Sequence, residues 1–261
     1  MDYYNIKVKI NTEYKPSYFT GSMLRGALGY ALKKVTCINP SYKCDGCFAK
    51  STCLYYDFYE KQNSYHNYRL DIELGSRKFD FGIYLFNDEN ANNLPYLLSA
   101  IDMMLTKIGL TKDNYKFENI DINTTHNIFK LDNYCPDIKI KLLTPIRIKK
   151  NNKFLRDDIK IEDILRSIYQ RYQKLESGED IYRLDYKPTY KTSLKTISYK
   201  QLTRNSNRQK TQMKMDGIIG EMAIIGIDER SYELLKIGEI IGVGKQTVMG
   251  LGKIEVAIIS N

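Results

Sequence analysis

Four cysteines crowd one short stretch of this sequence, Cys37-x6-Cys44-x2-Cys47-x5-Cys53. The central Cys44-Asp45-Gly46-Cys47 has the spacing of a metal knuckle, with Gly46 easing the turn. Clustered thiols in a cytosolic chain are more often metal ligands than disulfides. A four-thiolate zinc site, a redox-labile pair and unliganded thiols all fit this spacing. An iron–sulfur cluster is a lesser option, because thiolates hold both kinds of centre. A site closed by four thiolates would be structural, since it keeps no open coordination position for catalysis. Cys135 lies far from the others and reads as a lone buried thiol.

The second chemical feature closes the chain. In "IGVGKQTVMGLGKIEV" two glycine pairs, Gly242 with Gly244 and Gly250 with Gly252, bracket a polar segment containing Lys245 and Gln246. Bare backbone beside a lysine suits an anion, most simply a phosphate. It is not a Walker loop: five residues, not four, separate Gly238 from Gly244, and Gln246 replaces the required Ser or Thr. It is not a dinucleotide fingerprint either, because Thr247 takes the place of the third glycine and a strand pattern follows instead of a helix. A flexible hairpin connection and an anion cradle both remain compatible with the glycines alone.

The elements that must position these residues alternate along the chain. Tyr4, Ile6, Val8 and Ile10 share one face of a strand. "SMLRGALGYALKK" then puts Leu24, Ala27, Leu28, Ala31 and Leu32 on one face of a helix. Residues 35–58 are irregular, "KFDFGIYLFN" is a strand, and "NLPYLLSAIDMMLTKIGL" is a helix starting near Asn93 with Pro95 in its first turn. Residues 114–132 read as a hairpin. The second half repeats the theme with a strand bent at Pro145. An amphipathic helix follows, with Ile161, Ile164, Leu165, Ile168 and Tyr172 inward, then a long hairpin, a short helix, and a last strand after the glycine loop. An α+β class follows, with a domain over 1–135 carrying the cysteine-rich insertion and a second over 136–261 carrying the glycine loop. The formal charge of +9 favours a polyanionic partner. No apolar run approaches the roughly 20 residues of a membrane span. The N-terminus has no signal-peptide pattern, so a cytoplasmic protein without a membrane partner is expected.

Five segments occur in an order that resembles a known family: "GSMLRGALGYALKK", the cysteines with "CLYYDFYE", "LLTPIRIKK", "LTRNSNRQKTQMKMDGIIGEMAIIG" and "GVGKQTVMGLGKIEV". They resemble the CRISPR-associated endoribonucleases that process precursor crRNA, members of the RAMP superfamily. The likeness spans nearly the whole chain and is strongest from residue 196 onward. It implies two ferredoxin-like, RNA-recognition-motif-like domains in tandem. It also implies binding of CRISPR repeat RNA and one metal-independent cut, in which a 2′-hydroxyl attacks the adjacent phosphate and leaves a cyclic phosphate. No cofactor is needed for that chemistry, so zinc would be structural only. Delivery of crRNA to an effector complex is a further implied partnership.

Relatives often place a histidine in or just after the first helix. Here residues 21–50 hold none, and the only histidines are His66 and His126. His66 is the proton-transfer candidate because an unperturbed imidazole titrates near neutrality. His126 reads as an ordinary hairpin residue. Arg25, Tyr30 and Lys33 are the first-helix candidates for charge stabilisation. Arg204, Arg208 and Lys210 match the family's basic hairpin and would bind RNA, together with Gly242, Gly244, Lys245, Gln246, Gly250 and Gly252 of the loop, whose amides face phosphates or brace the element that does. Arg147, Lys149 and Lys150 form a weaker basic patch. The runner-up reading is a non-catalytic RAMP subunit that holds crRNA, and a third is a zinc-stabilised RNA-binding module outside CRISPR biology.

Overall fold

The computed structural model describes residues 1–61, 64–87, 92–131, 133–206 and 211–259. The chain divides into two compact units, Met1–Asn127 and Ile128–Asn261.

The first unit begins with β1 (Asp2–Ile10), in which Ile6, Val8 and Ile10 are buried while Lys7 and Lys9 are exposed. Helix α1 (Gly21–Thr36) follows, then β2 (Tyr68–Asp71), β3 (Phe81–Phe86), α2 (Leu94–Asp102) and β4 (Ile120–Ile128). The strands form one sheet in the order β2-β3-β1-β4. The antiparallel register sets Ile6 opposite Ile83, and Leu70 opposite Ile83 on the other side. Leu24, Leu28 and Leu32 of α1 and Leu97 and Ile101 of α2 are buried with them. Each such side chain contributes about 1.5–3 kcal/mol through burial. Lys33 and Lys34 occupy the last turn of α1, where cations complement the helix dipole. Between α1 and β2 the chain makes a wide helical turn, Tyr56–Glu60.

The second unit repeats the same order with β5 (Ile138–Ile146), α3 (Ile161–Ser177), β8 (Thr192–Lys200), β11 (Gly217–Ile225), α4 (Glu229–Ile241) and β12 (Ile254–Ile258). Its sheet runs β12-β5-β11-β8. Two small pairs decorate it: β6 (Lys149–Lys150) with β7 (Lys153–Phe154), and β9 (Thr203–Ser206) with β10 (Thr211–Lys214). Helix α3 is started by Asp163, whose carboxylate accepts the Lys160 N–H at 3.2 Å. It is ended by Gly178 in the left-handed conformation. Helix α4 is started by Asp228, which accepts the Ser231 N–H at 2.9 Å. In each unit the strand–helix–strand–strand–helix–strand order, with the first and last strands adjacent, is the ferredoxin-like topology. The α+β tandem expected from the sequence is the fold.

Three local readings change. Residues 114–132 are not a hairpin: the reversal comes earlier, where Leu110 and Tyr115 exchange backbone hydrogen bonds at 2.8 and 2.7 Å, and β4 runs on as a single strand. Strand β2 lies in a segment given no element in the sequence. On α3, Tyr172 is only half-buried, and Tyr169, Arg171 and Leu175 complete the buried face. Among the described residues no helix is long and apolar enough to cross a membrane.

Candidate active site and RNA interface

Arg25, Gly29 and Lys33 recur every four residues on α1 and therefore share one ridge. Gly29 is its low point. A Cβ at Gly29 would stand 2.5 Å from Tyr59 Cε1, so the missing side chain is what admits the Tyr59 ring. Tyr55 stacks on Tyr59 with centroids 5.4 Å apart and planes 7° from parallel. The Arg25 guanidinium lies over the Tyr59 ring at 4.8 Å, and Lys33 Nζ lies over Tyr55 at 4.8 Å. The Tyr59 hydroxyl donates to the Arg25 carbonyl at 3.0 Å. Wide turns of the Tyr56–Glu60 kind are frequent at functional sites.

His66 approaches the same ridge through a second ring. Its Nδ1 is 3.3 Å from the Asp57 carbonyl oxygen. An N–H donating there puts the basic lone pair of the neutral imidazole on Nε2. The imidazole centroid is 6.0 Å from that of Tyr68, and Tyr68 is 6.2 Å from Tyr59. Phe58 stacks under Tyr68 at 4.5 Å. Burial is the main cause pushing both phenols above their ordinary range, with Arg25 partly offsetting it. Tyr59 and Tyr68 are therefore neutral hydroxyls near neutral pH and not proton acceptors.

Of the first-unit candidates, the structure gathers Arg25, Lys33 and His66 around one tyrosine cluster. It leaves Tyr30 aside: that residue is 55% exposed, with Lys34 over its ring at 4.9 Å. His126 is a strand residue of β4, stacked on Tyr4 at 4.8 Å with Nε2 3.9 Å from the Asp2 carboxylate.

The cysteines do not form the expected metal centre. The Cys44–Cys47 turn is present, with Gly46 at φ 66° and the Cys47 N–H donating to the Cys44 carbonyl at 3.4 Å. Among the described residues, however, no group of three or more His, Cys, Asp or Glu side chains is placed to hold a metal ion. Cys37, Cys44, Cys47 and Cys53 are free and half-buried. The reason is local: the Cys37 thiol turns to the Asn39 carbonyl at 3.7 Å, and Cys44 is bonded by Lys33.

In the second unit the glycine loop is a folded, mostly buried turn. Gly242, Gly244, Gly250 and Gly252 all have φ between 77° and 80°, the left-handed region. Several of its amides are already used. Gly244 N donates to Ser167 Oγ at 2.9 Å, Lys245 N to the Arg147 carbonyl at 2.8 Å, and Gly250 N to the Thr247 carbonyl at 2.9 Å. Buried Arg171 of α3 donates to Thr247 Oγ1 at 2.6 Å. A Cβ at Gly244 would stand 2.6 Å from the Arg147 carbonyl oxygen. Of the two roles considered for this loop, its geometry fits bracing: it pins α3 and β5 to the strand that follows. Gln246, at φ 67°, and exposed Lys245 form its outer edge. Arg147 is no surface patch residue; it is 6% exposed, donates to the Asp216 carbonyl, and lies over Phe154 at 4.3 Å. Lys150 pairs with Asp163 at 3.6 Å. On the basic hairpin, Arg204 of β9 stands opposite Met213 of β10, its Nη2 2.9 Å from the sulfur. Arg208 and Lys210 lie outside the described residues.

Sequence reasoning assigned no role to Tyr59, Tyr68, Ser167 or Arg171. For the tyrosines the signal was their density in "CLYYDFYE" beside a helix rich in small residues. For Arg171 it was a charge on the apolar face of α3.

Comparison with known proteins completes the picture. The structure resembles a Cas6 product complex with a TM-score of 0.61 at 13% identity, covering 98% of this chain and 99% of that one. It resembles Cas6 of Thermus thermophilus with a TM-score of 0.58 at 11% identity, covering 98% of each chain. A second Cas6 product complex gives a TM-score of 0.55 at 12% identity, covering 98% and 100%. These likenesses show the fold. No curated protein matches the sequence. A family model described as an N-terminal domain matches residues 1–135, and the model described as CRISPR-associated endoribonuclease Cas6 matches residues 140–254. Over residues 140–254 the chain thus matches the model of the CRISPR-associated endoribonuclease Cas6, and its fold is the one the Cas6 structures share.

Proposed function

We propose that this protein binds CRISPR repeat RNA and cuts precursor crRNA once within the repeat, without a metal ion. The cut is a transesterification. The 2′-oxygen loses its proton to His66 Nε2 and bonds to the adjacent phosphorus. The bond from phosphorus to the 5′-oxygen breaks, and the leaving oxygen takes up a proton. The products are a 2′,3′-cyclic phosphate and a 5′-hydroxyl. Arg25 and Lys33 offset the charge that builds on the phosphoryl oxygens. The observation that carries this reading is the convergence of one imidazole, held by Asp57 in the tautomer a general base needs, with two cations on one ridge of α1. The Cas6 family match over residues 140–254 and the product-bound Cas6 structures of the same fold support RNA as the substrate. Arg204, the basic hairpin and the outer edge of the glycine loop then bind the repeat.

Helix α1 itself carries no histidine. That keeps one second reading alive, a RAMP subunit that holds crRNA without cutting it. Incubation with the RNA of a neighbouring repeat in EDTA separates the two. One cut inside the repeat supports the enzyme, and tight binding with intact RNA supports the subunit.

A further inference from the structure

We propose that Tyr59, seated in the Gly29 notch of α1, is the positioning residue that holds the Arg25 guanidinium in place for the scissile phosphate. This rests on the cleavage reading above and names how its cation is fixed. A flexible arginine near a cleavage site is a weak device, because each rotamer it samples dilutes its effect on the transition state. The usual way to fix a guanidinium is a carboxylate, which also cancels its charge. Among the described residues no carboxylate pairs with Arg25, and its buried Nε makes no hydrogen bond. What faces it is the Tyr59 ring, 4.8 Å from Cζ, with the neutral Tyr68 hydroxyl beside it as a hydrogen-bond partner. A ring attracts a guanidinium without neutralising it and leaves N–H donors for an anion.

The ring is itself unusually constrained. The absent Cβ of Gly29 admits one edge, Tyr55 covers one face, and the hydroxyl is tied to the Arg25 carbonyl at 3.0 Å. Arg25 thus rests on a side chain anchored to Arg25's own helix. Tyr68, within ring-contact distance of both Tyr59 and His66, carries the same rigid frame to the imidazole. The arrangement spaces a proton acceptor and an unneutralised cation for a phosphodiester with a 2′-hydroxyl.

The test is single-turnover cleavage of synthetic repeat RNA, with affinity measured in parallel. Tyr59→Leu removes the aromatic face and should slow cutting by about tenfold while the Kd stays within about twofold. Tyr59→Phe keeps the face and should restore the rate. Guanidinium added to Arg25→Ala should recover part of the lost rate, and methylammonium should recover less. That recovery should vanish in the Arg25→Ala, Tyr59→Leu double variant. The single-variant rescue stands even if Tyr59→Leu does not fold. A Tyr59→Leu protein that cuts at the normal rate, equal slowing by Leu and Phe, or no guanidinium rescue of Arg25→Ala would each overturn the positioning role. If the unaltered chain leaves repeat RNA intact, the cleavage reading falls, and this proposal falls with it.

Discussion

At the scale of single residues, the account turns on His66. Its imidazole is tied through Nδ1 to the Asp57 carbonyl, so it is oriented before any RNA arrives. A single general acid or base is typically worth about 10²–10⁴ in rate. His66→Ala should therefore slow single-turnover cleavage by roughly that factor while repeat affinity stays near normal. A variant that cuts at the ordinary rate would return His66 to the status of a packed surface histidine and shift the chemistry to Arg25 and Lys33. Arg171 sets a second residue-scale expectation. Its bond to Thr247 is buried, and removing the hydroxyl takes an acceptor from a buried guanidinium. Thr247→Val should cost about 1–3 kcal/mol of stability, read as a lower denaturation midpoint. No measurable loss would mean that Arg171 finds another acceptor.

At the scale of elements, the glycine loop is where chain geometry meets function. Gly244 sits at φ 78° with its backbone against Arg147. A β-branched residue there is strained twice, by its own backbone angles and by the carbonyl it must displace. Gly244→Val should cost upward of roughly 1–3 kcal/mol and weaken repeat binding with it. Retained stability and affinity would show that the loop's shape is dispensable. The elements also explain what could be read beforehand. The helix at 21–36 and the strand at 2–10 were legible because their apolar periods are local and clean. The tyrosine cluster was not, because Gly29 and Tyr59 are remote in sequence and neither residue type marks a site. The early turn at Leu110–Tyr115 hid for a similar reason: the apolar content of 114–132 resembles two short strands, whereas the reversal is set by Gly109 at φ 86°. The cysteine spacing looked like a ligand set, but spacing says nothing about where each thiol points.

At the scale of the whole molecule, two copies of one ferredoxin-like plan carry different equipment. The Met1–Asn127 unit holds the candidate chemistry, and the Ile128–Asn261 unit holds the basic hairpin and the braced loop. The formal charge of +9 fits a polyanion as the common partner. If Arg204 contacts a phosphate, Arg204→Glu should weaken repeat binding and reduce the slope of log K against log salt by about one. An unchanged slope would place the phosphate contacts elsewhere.

The central claim, that RNA attacks itself through a 2′-hydroxyl, is tested most directly by replacing one atom of substrate. Repeat RNA carrying a single 2′-deoxy nucleotide at the cut position should bind as tightly as the all-ribose RNA. In EDTA it should remain whole, while the all-ribose strand yields a 2′,3′-cyclic phosphate end. Cleavage of the deoxy strand at the same bond would make water the nucleophile and contradict the mechanism.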